Sequence, residues 1–462
     1  MDIDADLRAF LSQFVKVGEL AATMRPEGSS ALLADVLTEH LGRPAGEMAT
    51  VTKEIVGYRF ADYDVAFELL AGPDVVAIGI GGGEQRHHSS LSDLVGSPWT
   101  NTPVGQVDWA DVAVGADQTR RVVALGVRLF HFHDQPVAVL TRRNSRVHGN
   151  GVGVIEVLCP DSQTASDLLA EATELGTQRS VLRGNVVSLD LMGYEAEGDG
   201  YRFHARPDVP VEAVVLPEGA LERVRGHVLG VAEHAETLRR YGQHLKRGIL
   251  LYGPPGTGKT HTVRHLISAA THHTVILLSG QTLHYVRQAS TMARHLQPAI
   301  VVLEDCDLVA MDREIGPTGQ PLLFDLLDAL DGLDSDTDVA FVLTTNRVDV
   351  LEEALTQRPG RVDLAVEIPP PDRAARRQLL ELYRGDIGFS SEALDEVARR
   401  SDARTASFFK ELIRRAVLYA AEEGVEPADA HLLTALDTLF SDQETLSRNL
   451  VSGFLDPTPG LD

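Results

Sequence analysis

The sequence of 462 residues is long enough for two or three domains, and its 44% hydrophobic and 24% charged residues are ordinary for a globular protein. Asp and Glu outnumber Lys and Arg by 67 to 42, and the net charge of -25 disfavours non-specific binding to nucleic acid or to an anionic membrane. The acidic start of the chain, the absence of a bilayer-length apolar run and the presence of only 2 cysteines predict a cytoplasmic protein without a membrane span.

The first half of the sequence is predicted to contain a helical segment followed by a mixed α/β domain. Residues 1–50 carry apolar side chains at helical spacing in two groups. From 51 to 212 the pattern changes to short β-branched runs separated by turn residues, with one helical stretch at 166–176. The two helical groups are Leu7, Phe10, Leu11, Phe14 and Val15, and then Ala31, Leu32, Val36 and Leu37.

The second half of the sequence is predicted to be an α/β domain followed by helices. Three prolines between 206 and 220 mark a boundary, and apolar strands alternate with helices beyond it. Such alternation is typical of a parallel sheet flanked by helices. We therefore expect an α/β domain over 213–372, a helical domain over 373–450 and a flexible tail over 451–462. The predicted strands are 248–252, 275–279, 299–304, 339–345 and 365–368.

A glycine-rich loop in the stretch "LLYGPPGTGKTHTV" matches the pattern G-x-x-x-x-G-K-[ST]. Glycines allow successive backbone N–H groups to point into one concavity, which can hold phosphate oxygens. In this pattern Lys259 reaches the β- and γ-phosphates, and the Thr260 hydroxyl ligates Mg²⁺. A strand before the loop and a helix after it complete the expected context. The predicted nucleotide-binding residues are Gly253, Pro254, Pro255, Gly256, Thr257, Gly258, Lys259, Thr260 and His261.

An acidic pair ends the predicted strand in "AIVVLEDCD". Buried strand residues place Glu304 and Asp305 at the carboxyl edge of the sheet, where ligands bind in such folds. One acid would belong to the magnesium shell and the other would polarise the attacking water. A strand that ends in a solvated acidic turn is the alternative in so acidic a chain. The position of the pair downstream of the phosphate loop favours the functional interpretation.

The order and spacing of four motifs resemble those of the AAA proteins, a branch of the AAA+ ATPases. The motifs are "RGILLYGPPGTGKT", the acidic strand, "TTNRVDVLEEAL" and "RPGRVD", and the resemblance covers residues 213 to 450. It implies a P-loop AAA+ core with a C-terminal helical lid, behind an N-terminal mixed α/β domain. It also implies an ATPase that uses ATP and Mg²⁺ and assembles as a homo-oligomer, usually a hexameric ring.

The resemblance also implies roles for residues outside the phosphate loop. Asn346 corresponds to the sensor that orients the attacking water. Arg358 and Arg361 correspond to arginine fingers, which stabilise charge on the γ-phosphate of a neighbouring subunit. The segment 331–333, Asp-Gly-Leu, corresponds to a relay of nucleotide state between subunits.

Two departures from the family pattern point to a narrower group. The acids stand in the order Glu304 then Asp305, where Asp then Glu is usual, so position assigns the metal to Glu304 and the water to Asp305, with an exchange of roles left open. Only 18 residues, 280–297, separate the second strand from "PAIVVLED". Tyr285 is the nearest equivalent of a substrate-gripping aromatic, with packing on the sheet as its alternative role. These features and "VVLPEG" are similar to the Bcs-type AAA chaperones.

Three functions are compatible with the sequence. The first is an ATP-driven ring that remodels protein clients, with the N-terminal region selecting the client. The second is an assembly scaffold or regulator in which ATP sets the oligomer and turnover is slow. The third, a DNA-directed ATPase, is disfavoured by the net charge of -25.

Overall fold

The computed structural model describes six stretches of the chain, and before residue 31 it describes only five isolated helical positions. Two of those positions, Leu7 and Phe10, are exposed, whereas Leu11, Phe14 and Val15 lie outside the described residues. Contacts divide the chain into two compact units, residues 1–205 and 206–462. The described stretches are 31–96, 102–143, 152–189, 200–307, 336–347 and 362–453, with only the backbone described from 443 onward.

The N-terminal unit contains a seven-stranded sheet whose neighbouring strands all pair antiparallel. The strand order is β1-β7-β6-β5-β2-β3, and β4 pairs with the first half of the long strand β5. An antiparallel pair, β8 and β9, follows in sequence. The strands are β1 Thr50–Val56, β2 Val76–Ile80, β3 Val104–Gly105, β4 Asp108–Gly115, β5 Gln118–Phe132, β6 Gln135–Arg142, β7 Val152–Leu158, β8 Val186–Leu189 and β9 Tyr201–His204.

Helices cover both faces of this sheet, which gives the N-terminal unit two hydrophobic cores. Strand pleating divides β5 and β6 between them, since Phe130 and Val139 face one core and Val127 and Leu140 face the other. Helices α2 and α4 pack in the first core, and α1 and α3 pack in the second. These helices are α1 Leu33–Leu41, α2 Phe60–Ala71, α3 Leu91–Gly96 and α4 Ser162–Gln178. Short 3₁₀ turns lie at Ala45–Glu47, Gly57–Arg59 and Glu84–His87.

The second unit is built on a parallel sheet in the order β14-β10-β13-β12-β11. Its central strands are buried along most of their length, as near-continuous apolar runs in parallel sheets are. Parallel pairing brings the carboxyl ends of all five strands to one edge. The prediction of a parallel sheet flanked by helices is confirmed. The strands are β10 Arg247–Tyr252, β11 Thr274–Ser279, β12 Ala299–Glu304, β13 Val339–Thr345 and β14 Leu364–Glu367.

Helices flank this sheet and then form a separate cluster near the C-terminus. In the cluster, Asp372 and Ser390 begin helices by accepting hydrogen bonds from the N–H groups of Ala375 and Ala393, at 2.8 and 3.1 Å. The helices near the sheet are α5 Ala220–Arg225, α6 Val231–Glu233, α7 Ala235–Arg240, α8 Lys259–Ala269 and α9 Val286–His295, with a π turn at Gly226–Gly230 and a 3₁₀ turn at Gly280–Tyr285. The C-terminal helices are α10 Arg373–Arg384, α11 Ser391–Arg400, α12 Ala406–Glu423 and α13 Asp429–Gly453.

The C-terminal helices share a core in which Phe409, Leu412 and Leu436 are fully buried. This core contains the apolar stripe that α12 presents at helical spacing. Among the described helices of the whole chain, none combines the length and the apolar character needed to cross a bilayer.

Candidate active site

The loop between β10 and α8 adopts a conformation that only glycine tolerates at three positions. Gly253, Gly256 and Gly258 have φ values of 145°, 77° and 114°. A Cβ on Gly253 would lie 2.2 Å from the Ile368 carbonyl oxygen, and one on Gly256 would lie 2.3 Å from Ser407 Oγ. The motif glycines therefore meet both a backbone demand and a demand for close approach.

Lys259 begins α8 and bends its side chain back over the loop. Its Nζ donates hydrogen bonds to the carbonyl oxygens of Gly253 and Pro254, at 2.8 and 2.9 Å. Burial lowers the pKa of the Lys259 ammonium, while the charge of Asp305 opposes that shift. The positive charge is thus held inside the concavity of the loop, beside the N-terminus of a helix, where phosphate groups bind.

Glu304, the last residue of β12, lies beside the first turn of α8. Its half-buried carboxylate accepts a hydrogen bond from the hydroxyl of Thr260. Burial, and then repulsion by Asp305, raises the pKa of Glu304, whereas the Thr260 hydroxyl and Arg264 oppose the rise. The two residues expected to hold a metal therefore offer a hydroxyl and a carboxylate side by side.

Asp305 leaves the strand and turns toward the neighbouring strand β13. Its backbone has a φ of 52°, in the left-handed region, and its N–H donates to Thr344 Oγ1 at 3.0 Å. The exposed carboxylate of Asp305 lies 3.5 Å from Nδ2 of Asn346, the residue that follows β13. The two consecutive acids thus have different neighbours, Thr260 for Glu304 and Asn346 for Asp305.

Asp307 holds the end of β13 in place, a role that no sequence motif predicted. Its Oδ1 accepts hydrogen bonds from the Asn346 N–H at 3.0 Å and from Thr345 Oγ1 at 3.1 Å. Burial alone would raise the pKa of Asp307, but these hydrogen bonds lower that pKa below its usual range. The only sequence signal was a third carboxylate two positions after Asp305 in "LEDCD".

A cleft of about 320 Å³ opens next to the phosphate loop. Thr257 lines the cleft together with residues 215–218, residues 368–372, the first two turns of α10 and the first residue of α12. The lining combines apolar side chains, Leu216, Ile368 and Leu379 among them, with polar ones such as Glu218 and Gln378. Such a cleft suits a flat heterocyclic base. No sequence motif predicted this cleft, although "VVLPEG" and "IPPPD" are the two proline-bearing stretches that border it.

Comparisons with known proteins agree with this geometry. The sequence profile described as "ATPase family associated with various cellular activities (AAA)" matches residues 249–370. These residues include the phosphate loop, both acids and Asn346. Residues 249–370 of this chain are therefore an AAA-type ATPase domain.

Three curated relatives share the AAA region. A 26S proteasome regulatory subunit 8 homolog from Schizosaccharomyces pombe is 30% identical over 236 residues, which is 47% of this chain and 57% of the relative. The proteasome-activating nucleotidase of Methanocaldococcus jannaschii is 29% identical over 259 residues, 52% of this chain and 60% of the relative. The ATP-dependent zinc metalloprotease FtsH 2 of Sphaerobacter thermophilus is 36% identical over 234 residues, 47% of this chain and 35% of the relative. The chain thus spans about half the length of these relatives.

The family prediction is confirmed, and the narrower resemblance to Bcs-type chaperones stays a prediction, because the three relatives are of other types. Several predicted AAA residues lie outside the described part of the chain. These are Arg358, Arg361 and the segment 331–333.

Two further predicted residues have specific surroundings in the AAA domain. Tyr285 is half-buried and ends the 3₁₀ turn before α9, so it lies in a helical stretch rather than in a projecting loop. The connection from α9 to β12 is only 296–298. The ring of His261 donates through Nε2 to the Ala213 carbonyl oxygen at 3.0 Å, so a contact of His261 with a phosphate would use its backbone N–H.

Proposed function

We propose that the protein binds ATP with Mg²⁺ at the carboxyl edge of its parallel sheet and uses hydrolysis to remodel protein clients as a ring. One observation carries the proposal: Thr260 pairs with Glu304, while Asn346 lies beside Asp305, whose charge acts on Lys259. That arrangement separates a metal position from a water position at the N-terminus of one helix.

The phosphate loop would bind the triphosphate through its backbone N–H groups and through Lys259. In the structure the Lys259 ammonium donates hydrogen bonds to two loop carbonyl oxygens, at 2.8 and 2.9 Å. Phosphate oxygens would replace these carbonyl oxygens as its acceptors when a nucleotide binds. The cleft of about 320 Å³ would receive the base, with its apolar walls against the two faces of the ring.

Thr260 and Glu304 fit a magnesium ion, because hydroxyl and carboxylate oxygens are the ligands that Mg²⁺ prefers. When bound, Mg²⁺ neutralises charge on the β- and γ-phosphates. Glu304 must be ionised for this role, and its raised pKa makes that requirement sensitive to pH.

Asp305 would polarise the attacking water, and Asn346 would orient that water. Asp305 is exposed, so a water can reach its carboxylate, and Asn346 Nδ2 lies 3.5 Å away. Asp307 acts through Asn346 and is a positioning residue, since it accepts the Asn346 N–H at 3.0 Å. General-base assistance of this kind contributes on the order of 10² to 10⁴ in rate.

A ring is favoured because arginine fingers act across a subunit contact, and a head-to-tail contact that closes forms a ring. The family resemblance assigns the fingers to Arg358 and Arg361, and six subunits are expected. A protein client is favoured because the names of the relatives refer to proteasomes and to a protease. The Bcs-type subgroup is favoured by the order of the two acids and by the short connection 296–298, which leaves little room for a gripping loop.

A steady-state ATPase assay separates the three candidate functions. ATP turnover should rise when an unfolded protein is added and should stay unchanged when duplex DNA is added. Slow turnover that neither addition changes, together with an ATP-dependent change in particle mass, would favour the scaffold. Stimulation by DNA alone would favour the third candidate.

The ring has its own test. Arg358→Ala and Arg361→Ala should each retain ATP binding and lose turnover. Mixing either variant with Lys259→Ala subunits should restore part of the activity, because some interfaces then combine an intact loop with an intact finger. A monomer with full activity at working concentration would rule out the ring.

A further inference from the structure

The chain that leads into the AAA domain lies along the phosphate-binding helix. Residues 206–213, here named the strap, lie along α8 from its C-terminal end to its N-terminal end. The strap begins with Arg206, whose Nη1 donates to the carbonyl oxygens of Ile267 and Ala270, at 2.6 and 3.0 Å. Its Nη2 donates to the His273 carbonyl oxygen at 3.0 Å. Arg206 therefore satisfies the carbonyl groups that a helix leaves open at its C-terminus, with a charge that suits the helix dipole.

Two hydrogen bonds hold the middle of the strap against α8, one donated and one accepted by the backbone of Val209. The Val209 N–H donates to Ser268 Oγ at 3.2 Å, and His265 Nδ1 donates to the Val209 carbonyl oxygen at 2.8 Å. His265 is 4% exposed, and among the described residues its Nε2 has no hydrogen-bond partner. The bond to Val209 is therefore the polar contact that fixes this ring.

The end of the strap reaches the nucleotide site. His261 lies one turn before His265 on the same face of α8, and it donates to the Ala213 carbonyl oxygen at 3.0 Å. Residues 215–218 then continue directly into the wall of the cleft beside the phosphate loop. One short segment thus contacts the helix at both ends and in the middle, and it also lines the cleft.

We propose that the strap couples nucleotide binding to the chain that precedes the AAA domain, with Arg206 and His265 as positioning residues for the nucleotide-binding helix α8. The inference rests on the proposed function, because it assigns a regulatory connection to the same site. The physical reason is that α8 begins with Lys259 and Thr260, so a shift or rotation of the helix moves both groups relative to the phosphates. Strap contacts along α8 oppose such a shift.

Coupling of this kind is reciprocal. If nucleotide binding tightens the strap, loosening the strap weakens nucleotide binding by the same factor. A change at the N-terminal side of the strap and a change at the phosphate loop would then shift the same conformational equilibrium.

The test measures the order of the strap and the affinity for nucleotide in the full chain. Hydrogen exchange of the backbone amides in 206–213 is followed with and without the magnesium complex of a non-hydrolysable ATP analogue, and the affinity for that analogue is measured by titration. His265→Leu removes the donor while filling the space. His265→Asn keeps a donor, because the Asn amide occupies nearly the position of Nδ1. His272→Leu, on an exposed histidine just after α8, is the matched control.

In the unaltered protein, in His265→Asn and in His272→Leu, the analogue should slow exchange in the strap. In His265→Leu that protection should be lost and the affinity should fall several-fold, while the thermal unfolding transition stays cooperative. If His265→Leu does not fold, Arg206→Gln should give the same paired losses.

Two results overturn the inference. The first is strap exchange that is identical with and without bound analogue in the unaltered protein. The second is a folded His265→Leu or Arg206→Gln variant that keeps both affinity and protection. Failure of the unaltered protein to bind the analogue at all would overturn the proposed function and the inference with it, so the two failures are distinct.

Discussion

In the N-terminal unit, buried charges lie within the sheet and its covering helices, and they are paired. Arg128 contacts Asp64, and Arg142 lies 3.7 Å from Glu156, with all four side chains buried. At the carboxyl edge of the sheet in the AAA domain, by contrast, Lys259 donates to loop carbonyl oxygens and Asp305 is exposed.

The buried charges of the N-terminal unit therefore concern stability, whereas the charges at the sheet edge of the AAA domain concern chemistry. A buried pair whose members satisfy each other contributes to a unique fold and offers nothing to a ligand. Charged groups at the carboxyl edge of a parallel sheet face a cleft and keep capacity for further contacts. We therefore expect substitutions in the first group to change unfolding with little effect on nucleotide binding, and substitutions in the second group to do the reverse.

The largest effect is expected for Lys259→Ala, which should abolish ATP binding and turnover, because no other described residue places a positive charge inside the loop. The measurement is ATP titration beside steady-state hydrolysis. Lys410→Ala removes an exposed lysine from α12 and should change neither. ATPase activity near the parental level in Lys259→Ala would contradict the assignment of the edge as the site.

The next effect distinguishes the two acids at that edge. Asp305→Asn should reduce single-turnover hydrolysis by about 10² to 10⁴ while retaining ATP, since it removes the acid beside Asn346. Glu304→Gln should instead weaken magnesium-dependent ATP binding, since it removes the carboxylate beside Thr260. Nucleotide affinity and single-turnover rate are measured for both variants. If Glu304→Gln is the variant that retains ATP without hydrolysing it, the two roles are exchanged.

The N-terminal unit provides the opposite case. Asp64→Ala leaves Arg128 buried without its carboxylate and removes the acceptor of the Val123 N–H. It should reduce the free energy of unfolding by about 3 to 5 kcal/mol. The matched control, Asp111→Ala, breaks the exposed pair with Arg121 and should cost at most about 1 kcal/mol. Denaturant unfolding measures both, and the ATP affinity of the folded protein should be unchanged. A smaller loss for Asp64 than for Asp111 would undo the comparison.

The smallest effect is a shift along the pH axis. As pH falls through the raised pKa of Glu304, its carboxylate is protonated and magnesium-dependent ATP affinity should decline. Asp305→Asn removes a like charge, lowers that pKa and should retain affinity to lower pH. Arg264→Gln removes an opposing positive charge and should begin the decline at higher pH. Affinity titrations across pH give both shifts, and equal curves for the two variants would show that Glu304 is not the titrating group.

Much of the AAA domain follows from local sequence. Its strands were predicted within one residue, and β12 and β13 were predicted exactly as 299–304 and 339–345, because parallel strands buried on both faces are continuous apolar runs. The phosphate loop follows from glycine spacing. The role of Asp307 does not, since it depends on which strand end lies beside it across the sheet.

The N-terminal unit was harder to predict for the same physical reason. Its β-branched runs indicated strands, but the order β1-β7-β6-β5-β2-β3 depends on pairing between distant segments. The single strand β5, Gln118–Phe132, pairs with β4 along its first half and with β6 and β2 along its second. No local pattern marks the point where one partner gives way to the next.

The contact between the C-terminal helices and Gly256 has a consequence for the timing of turnover. The Ser407 N–H, in the first turn of α12, donates to the Gly256 carbonyl oxygen at 3.2 Å. Ala406 beside it lines the cleft, so a movement of α12 that widens the exit also breaks this bond and frees the loop backbone. Release of a nucleotide by a movement of α12 would therefore be coupled to relaxation of the loop through this one hydrogen bond.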